Sequence, residues 1–268
     1  MNANSWLKEA AQSIDQLDAE LILAHFLGVE RTFLHAHPEY ELSPEIAEKA
    51  NSALKRRQNH EPLAYITGKK DFYGRAFIVT PDVLIPRPET EALIEAVKQL
   101  KPSKILDVGT GSGCIAVTLA KELPNAQITG VDISEKALQI AQENAQKHHA
   151  VVDFYQSDLL ENLANDAKFD LIIANLPYVD RNWDWLGPEL DFEPQTALYA
   201  ADEGLELIKK LLKQAPQHLE QGGYVILEAD RSQHQKIRTF ATENTDFTPV
   251  DSKTDDENSA LALVLRLR

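Results

Sequence analysis

The stretch Ile105-Leu106-Asp107-Val108-Gly109-Thr110-Gly111-Ser112-Gly113 decides the fold of this chain. Its first residues are typical of a buried strand, and a helical pattern begins at Cys114. The three glycines between them allow a sharp turn and the close approach of a ligand to the backbone. The free N–H groups at the start of the helix face the same loop. The sequence therefore predicts a strand, a ligand-binding glycine loop and a helix.

The glycine spacing and the preceding acid indicate which kind of ligand binds. Dinucleotide-binding loops follow the pattern G-x-G-x-x-G, whereas this loop reads D-x-G-x-G-x-G from Asp107. A carboxylate beside the loop would repel a pyrophosphate and suits a cationic ligand with an amino group. The pattern resembles motif I of the class I S-adenosylmethionine-dependent methyltransferases, and the alternative is a tight turn without a ligand. The candidate cofactor contacts are Asp107, Gly109, Thr110, Gly111, Ser112 and Gly113.

Composition and charge narrow the class of protein. The 268 residues allow one large or two modest domains, and no apolar run approaches the length of a membrane-spanning helix. A single cysteine, Cys114, excludes a disulfide framework and favours the reducing cytoplasm. The net charge of −15 argues against nucleic acid as the main substrate and suits a basic protein partner. We therefore expect a cytoplasmic protein that does not associate with membranes. We also expect a monomer, although composition does not determine the oligomeric state.

Residues 1–68 are predicted to form a small all-helical domain. Ser5 is expected to cap the first helix and Gly28 to end the second, while Ser43-Pro44 is typical of a helix start. This region carries no chemical motif. It is either a scaffold or, as we expect, a domain that docks a protein substrate.

Residues 69–88 are predicted to form a β-hairpin linker that turns near Gly74, and residues 89–268 the methyltransferase domain. The rigid Pro-Arg-Pro turn at the end of the linker directs Arg87 toward a fixed partner. Arg87 is therefore a candidate substrate-binding residue. The alternative is a surface turn with a solvated arginine.

From Lys104 onward, strand and helix patterns alternate, which predicts an α/β fold with a parallel sheet covered on both faces. Thr245–Ser259 is expected to be a polar loop, and Leu261–Leu265 a last strand that could insert antiparallel. The other predicted strands are Lys104–Asp107, Gln127–Val131, Val151–Gln156, Phe169–Ala174 and Tyr224–Glu228.

Polar residues follow the second and third of these strands, where ligands bind to doubly wound sheets. Asp132 is placed to accept hydrogen bonds from a ribose diol, unless it only caps the helix that begins near Ser134. Asp158 could accept a hydrogen bond from an adenine amino group, and Leu159 could flank the ring. Together with the glycine loop, these acids predict a nucleoside-containing cofactor.

The motif Asn175-Leu176-Pro177-Tyr178 follows the fourth strand and indicates the reaction. It resembles the N-P-P-Y motif of methyltransferases that act on planar nitrogens, whose lone pair is tied up by conjugation. The carboxamide oxygen of Asn175 and the neighbouring backbone carbonyl can accept both N–H bonds of such a nitrogen. Tyr178 can pack on the planar group. We predict catalytic and substrate-binding roles for this motif, and the alternative is a plain β-turn.

Two further sets of residues are weak candidates. His35-x-His37 and His148-His149 lack acids or cysteines at metal-ligand spacing, so no metal site is expected. Trp183 and Trp185 could contact a substrate from a loop, or could belong to a packed lid.

The chain resembles the release factor glutamine methyltransferases, the PrmC/HemK family, over essentially its whole length. The segments that carry the resemblance are Glu61–Gly68, Ile85–Glu91, Asp107–Gly113 and Phe192–Leu198. The resemblance implies a Rossmann-like class I S-adenosylmethionine-dependent methyltransferase, with a seven-stranded, mostly parallel sheet whose last strand is antiparallel, preceded by a small all-helical domain. It implies that the substrate is the glutamine of the Gly-Gly-Gln loop in peptide-chain release factors.

The resemblance also implies cofactor contacts from Gly109–Gly113, Asp132, Asp158-Leu159 and Asn175, and a target glutamine held by Asn175–Tyr178. Leu176 stands where the family usually has proline. Asn-Leu-Pro-Tyr is found in ribosomal-RNA adenine dimethylases, so RNA adenine methylation is an alternative function. A non-catalytic protein that binds a partner through the helical domain is another.

Overall fold

The computed structural model describes residues 1–184, 186–250 and 262–268. The predicted contact residue Trp185, the start of the last predicted strand and most of the predicted polar loop lie outside these residues. The chain forms two compact units. The first comprises Met1–Lys69 and Gly187–Phe192, and the second comprises Lys70–Leu186 and Glu193–Arg268.

The first unit is a helical bundle built around Trp6, Ile22 and Leu23, which are almost fully buried. Gly28 ends the second helix in a left-handed conformation, and Ser43 caps the fourth, as predicted. The prediction for Ser5 is wrong because the first helix begins earlier, and Asn2 accepts the capping hydrogen bond from the Ser5 N–H. The helices are α1 (Ala3–Ala10), α2 (Gln16–Leu27), α3 (Arg31–Ala36), α4 (Pro44–Gln58) and α5 (Leu63–Thr67).

The second unit begins with a two-stranded hairpin and continues as alternating strands and helices. Its strands are β1 (Lys69–Phe72), β2 (Arg75–Ile78), β3 (Lys104–Val108), β4 (Gln127–Asp132), β5 (Asp153–Gln156), β6 (Phe169–Ala174), β7 (Leu219–Glu228), β8 (Phe247–Val250) and β9 (Ala262–Leu267). Its helices are α6 (Glu91–Leu100), α7 (Cys114–Glu122), α8 (Glu135–Lys147), α9 (Gln195–Leu198), α10 (Glu206–Gln214) and α11 (Arg231–Asn244). Among the described helices, none combines the length and the apolar character needed to cross a bilayer.

The main sheet has seven strands in the order β5-β4-β3-β6-β7-β9-β8. The first five run parallel, and β9 pairs antiparallel with both β7 and β8, which confirms the predicted seven-stranded sheet with an antiparallel last strand. The strand β8 lies where the sequence predicts a polar loop. That prediction is wrong because β8 is an edge strand, where a proline such as Pro249 is tolerated.

Each face of the sheet is covered by its own apolar core. Leu171 and Ile173 of β6 face the core under α6 and α7, whereas Ile172 faces the core under α10 and α11. This alternation is that of a strand buried on both faces. The sheet is thereby held rigidly, and its carboxyl edge is available to position functional groups.

A left-handed backbone segment borders that edge. Asp202, Glu203 and Gly204 all have positive φ angles, of 58°, 57° and 82°. The side-chain amide of Gln233 donates hydrogen bonds to the carbonyl oxygens of Glu203, at 2.9 Å, and of Tyr178, at 2.8 Å. A Cβ atom at Gly204 would overlap the Tyr178 carbonyl. Only glycine therefore fits at position 204.

Gly204→Ala should lower the free energy of unfolding by about 3 kcal/mol. The alanine would have to adopt a left-handed backbone conformation, and its Cβ would clash with the Tyr178 carbonyl. The matched control is Gly74→Ala, since Gly74 also has a positive φ of 70° but nothing within 4 Å of a Cβ. The control should lose only about 1 kcal/mol. Urea unfolding followed by circular dichroism measures both. Equal losses would contradict the packing argument.

Candidate active site

A cavity of about 520 Å³ opens at the carboxyl edge of the parallel strands in the second unit. It is lined by most of the site residues that the sequence predicts. These are Arg87, Gly109, Thr110, Gly111, Ser112, Asp132, Asp158, Leu159, Asn175, Leu176 and Pro177. The lining does not include Asp107, Gly113 or Tyr178, which lie behind it.

The glycine loop is fixed by the neighbouring strand. The backbone N–H groups of Gly109 and Thr110 both donate to the carbonyl oxygen of Val131, at 2.8 and 2.9 Å. Gly109 has a φ of 72°, and a Cβ there would lie 3.2 Å from Leu176. Leu176 is 3% exposed and packs in the core. The leucine that departs from the family pattern therefore supports the loop.

Asp107 lies beneath the loop and is fully buried. One carboxylate oxygen accepts a hydrogen bond of 2.6 Å from the Thr110 hydroxyl, and the other has no hydrogen-bond partner among the described residues. Burial raises the pKa of Asp107 to about 7, although the Thr110 hydrogen bond opposes the shift. The structure therefore places a carboxyl group with one unpaired oxygen directly behind the loop.

Asp132 connects the glycine loop to the start of α8. Its carboxylate accepts hydrogen bonds from the N–H groups of Gly111 and Ser134, each at 2.9 Å. The side chain that caps α8 is the Ser134 hydroxyl. Asp132 is therefore not the N-cap of this helix, and its carboxylate also binds the glycine loop. Burial raises the pKa of Asp132. The next residue, Ile133, is 61% exposed and lines the cavity, although sequence analysis did not single it out.

Asp158 and Leu159 lie on the cavity wall after β5. The Asp158 carboxylate forms an ion pair of 2.9 Å with Lys210, which also pairs with Glu161. Leu159 is buried and has a positive φ of 50°. The structure thus gives the predicted adenine contact Asp158 a cationic partner that the sequence does not indicate.

Asn175 and Tyr178 leave β6 at the same edge. The Asn175 amide nitrogen donates to the Thr90 hydroxyl at 3.2 Å, and within the described parts of the chain no donor reaches its side-chain oxygen. The Tyr178 hydroxyl donates to the Glu228 carboxylate at 3.2 Å. Asn175 therefore presents an acceptor at the cavity, whereas Tyr178 faces Glu228 behind it.

Glu228 is a buried acid at the end of β7 that sequence analysis did not identify. It is 2% exposed, and burial raises the pKa of its carboxyl group. The hydroxyls of Thr90 and Tyr178 and the amide of Asn175 favour its charged form and oppose the shift. The same rule that selected Asp132, an acid at the carboxyl end of a parallel strand, could have found it.

Arg87 has the fixed partner that its Pro-Arg-Pro turn predicts. The guanidinium pairs with Glu193, whose other carboxylate oxygen accepts from the Ile85 N–H at 3.0 Å. The Glu193 side chain is almost fully buried, whereas the Arg87 side chain is 35% exposed. Glu193 thus ties the segment before α6 to the segment before α9, and both segments contribute to the cavity wall.

Two family models match the chain. One, described as a methyltransferase domain, matches residues 100–259, and the other, described as the PrmC N-terminal domain, matches residues 1–68. The first defines the class of protein: a methyltransferase whose domain contains the glycine loop and the Asn175 motif.

Relatives of known name extend over nearly the whole chain. The release factor glutamine methyltransferase of Koribacter versatilis is 44% identical over 250 residues, which cover 91% of this chain and 89% of that protein. The Escherichia coli enzyme of the same name is 39% identical over 249 residues, 89% of each chain. The chain belongs to the release factor glutamine methyltransferase family, and it is an S-adenosylmethionine-dependent enzyme.

Solved structures share the fold at lower identity. The hMettl16 catalytic domain superposes with a TM-score of 0.56 at 13% identity, covering 85% of this chain and 82% of that one. A methyltransferase from Pyrococcus furiosus has a TM-score of 0.55 at 19% identity, covering 74% and 91%. These likenesses establish the Rossmann-like methyltransferase fold.

Asp107→Asn should alter the pH dependence of stability. Because burial raises the folded-state pKa of Asp107 from its ordinary 3.8 to about 7, the folded state binds the proton more tightly than the unfolded state. Raising the pH between these values therefore lowers the free energy of unfolding of the wild type. Relative to wild type, the variant should gain up to about 4 kcal/mol between about pH 4 and about pH 8. Urea unfolding across this range measures the difference, and parallel curves would contradict the assignment.

Proposed function

We propose that this enzyme transfers a methyl group from S-adenosylmethionine to the side-chain amide nitrogen of the glutamine in the Gly-Gly-Gln loop of peptide-chain release factors. The observation that carries this proposal is the side-chain oxygen of Asn175, which lies at the wall of the cavity beside the glycine loop and accepts no hydrogen bond from the described residues. The curated relatives that match about nine-tenths of the chain carry the name of this activity.

The residues of the cavity fit the cofactor. Asp132 would hold the ribose hydroxyls, and Asp158 with Leu159 would hold the adenine, while exposed Ile133 offers an apolar surface to the ring. The Gly109–Gly113 loop and buried Asp107, one of whose carboxylate oxygens has no partner within the part of the chain that the structure describes, would accommodate the cationic amino-acid end. When bound, the cofactor supplies an electrophilic methyl group on a sulfonium.

The residues of the chain act mainly by positioning. An amide nitrogen is a weak nucleophile because its lone pair is conjugated with the carbonyl. Asn175 Oδ1 would accept one N–H bond and the adjacent backbone carbonyl the other, which turns the lone pair toward the methyl. On transfer, the glutamine nitrogen would gain the methyl group from the sulfonium and would lose its proton to solvent. No strong base is needed, because that proton becomes acidic only during transfer.

The partner is proposed to be a release factor that docks on the helical unit Met1–Lys69 while its glutamine loop reaches the cavity. The chain carries a net charge of −15, which suits a basic surface on that partner. Such a partner works in translation, so we place the enzyme in the cytoplasm and propose that it acts there as a monomer. The Arg87 side chain, partly exposed at the cavity, is proposed to contact the substrate.

The two alternatives carry less support. RNA adenine methylation rests on Leu176, yet this residue packs in the core against the glycine loop, and the curated relatives named above are release factor enzymes. A non-catalytic role leaves the assembled cavity unexplained. Both alternatives are distinguished from the proposal by a transfer assay.

Purified enzyme should transfer a labelled methyl group from S-adenosylmethionine to a release factor with an intact Gly-Gly-Gln loop. A release factor with that glutamine changed to alanine should remain unlabelled, since the accepting nitrogen is gone. Ribosomal RNA, assayed in parallel, should also remain unlabelled. Label on the RNA alone, or on both release factors equally, would contradict the proposed substrate.

Asn175→Ala should raise the barrier to transfer by about 3 kcal/mol, the effect of losing one oriented hydrogen-bonding group, and leave cofactor affinity largely intact. The matched control is Asn125→Ala, an exposed asparagine before β4 that does not line the cavity. Steady-state turnover and calorimetric titration with S-adenosylmethionine measure the two effects. Full turnover in the Asn175 variant would show that its side chain does not position the glutamine.

A further inference from the structure

Glu228 is a buried acid beside the catalytic motif to which methyl transfer itself assigns no role. Leu227 of β7 pairs with Ala174 of β6, so Glu228 and Asn175 are the next residues of two adjacent strands and lie side by side. One carboxylate oxygen accepts from the Tyr178 hydroxyl, and the other has no hydrogen-bond partner among the described residues. Leaving a buried carboxylate oxygen unpaired is unfavourable, so a neighbouring hydroxyl is favoured to turn its proton toward it.

The orientation of the Asn175 amide decides whether the proposed chemistry is possible. An asparagine side chain presents an acceptor on one side and two donors on the other. If the nitrogen faced the cavity, it would oppose the N–H bonds of the glutamine amide. In this structure the nitrogen donates to Thr90 Oγ1, a hydroxyl that is 1% exposed. The Thr90 hydroxyl therefore has to act as an acceptor toward Asn175.

A hydroxyl has one proton and can therefore donate only one hydrogen bond. When it donates to one neighbour, it can only accept from the other. The Glu228 carboxyl group neighbours both Thr90 and Asn175. Burial raises its pKa, but hydrogen bonds from these neighbours favour the ionised form, which can only accept. We propose that Glu228 is a positioning residue that accepts a hydrogen bond from the Thr90 hydroxyl and thereby fixes the Asn175 amide with its oxygen toward the cavity. The order of donation is Asn175 to Thr90, and Thr90 to Glu228.

This arrangement deepens the proposed function and rests on it. It requires that the accepting group carry an N–H bond for the Asn175 oxygen, as a primary amide does. The Tyr178 hydroxyl donates to one carboxylate oxygen of Glu228. The other oxygen has no hydrogen-bond partner among the described residues and is the one left for the Thr90 hydroxyl. We call this chain of hydrogen bonds, from Asn175 to Thr90 and from Thr90 to Glu228, the relay. It gives a role to a carboxylate that touches neither substrate nor cofactor.

The test is a mutant cycle on full-length enzyme with release factor as substrate. Glu228→Gln, nearly the same shape, should lower kcat by about 10-fold or more, because it supplies a donor where the relay needs an acceptor. Thr90→Val should do the same, whereas Thr90→Ser keeps the hydroxyl and should stay within about 2-fold of wild type. The dissociation constant for S-adenosylmethionine should change little in all three.

The decisive comparison uses the Asn175→Ala background. If Glu228 acts through Asn175, adding Glu228→Gln there should lower kcat by less than about 2-fold more. A purely structural role would lower kcat equally in both backgrounds and would overturn the inference. Glu122→Gln, an acid paired with Arg75 and outside the cavity lining, is the control and should match wild type.

The inference and the proposed function fail in different ways. If the wild type does not label the release factor, the proposed function is wrong. If the wild type is active and Glu228→Gln equals it, only the relay is wrong. Should the Glu228 variant not fold, the Thr90→Val and Thr90→Ser pair decides, since full activity in Thr90→Val also overturns the relay.

Discussion

The parallel register of β5, β4, β3, β6 and β7 is the constraint on which the rest of the structure depends. Val108 pairs with Val131 on one side and with Ala174 on the other, and Ala174 pairs with Leu227. Because parallel strands end at the same edge, residues distant in sequence emerge side by side there. The apolar strands are held from both faces, so this edge is rigid. Positioning a weak nucleophile requires such rigidity, since catalysis of this kind depends on geometry rather than on a strong base.

Three buried acids behind the cavity support the residues of its wall. Asp107 lies under the glycine loop, Glu193 ties two wall segments together, and Glu228 stands behind the Asn175 motif. Each is kept from water, which makes its hydrogen bonds directional and costly to break. Charged side chains also line the cavity, namely Asp132, Asp158 and Arg87, but the three buried acids lie behind the residues that face it and hold them in place. Leu176 has a similar supporting role, because this core residue packs beneath the glycine loop at Gly109.

Much of this architecture could be predicted from the sequence because it is encoded locally. The glycine loop, the acid after β4 and the cap at Ser43 each depend on neighbouring residues. The strand β8 was missed because a single proline and polar neighbours hide an edge strand. The position of Glu228 beside Asn175 could not be predicted, since the two lie far apart along the chain and only the sheet register brings them together. Local sequence patterns therefore predicted the residues that line the cavity, whereas the contacts behind it could be identified only from the structure.

The central claim is that Asn175 accepts a hydrogen bond from the glutamine nitrogen at the carboxyl edge of the sheet. The most direct measurement is a crystal structure with S-adenosylhomocysteine and a Gly-Gly-Gln peptide bound. We expect the glutamine nitrogen to lie about 3 Å from Asn175 Oδ1, with the Asn175 nitrogen still donating to Thr90. A glutamine bound elsewhere in the cavity, or an Asn175 amide turned with its nitrogen toward the peptide, would contradict it.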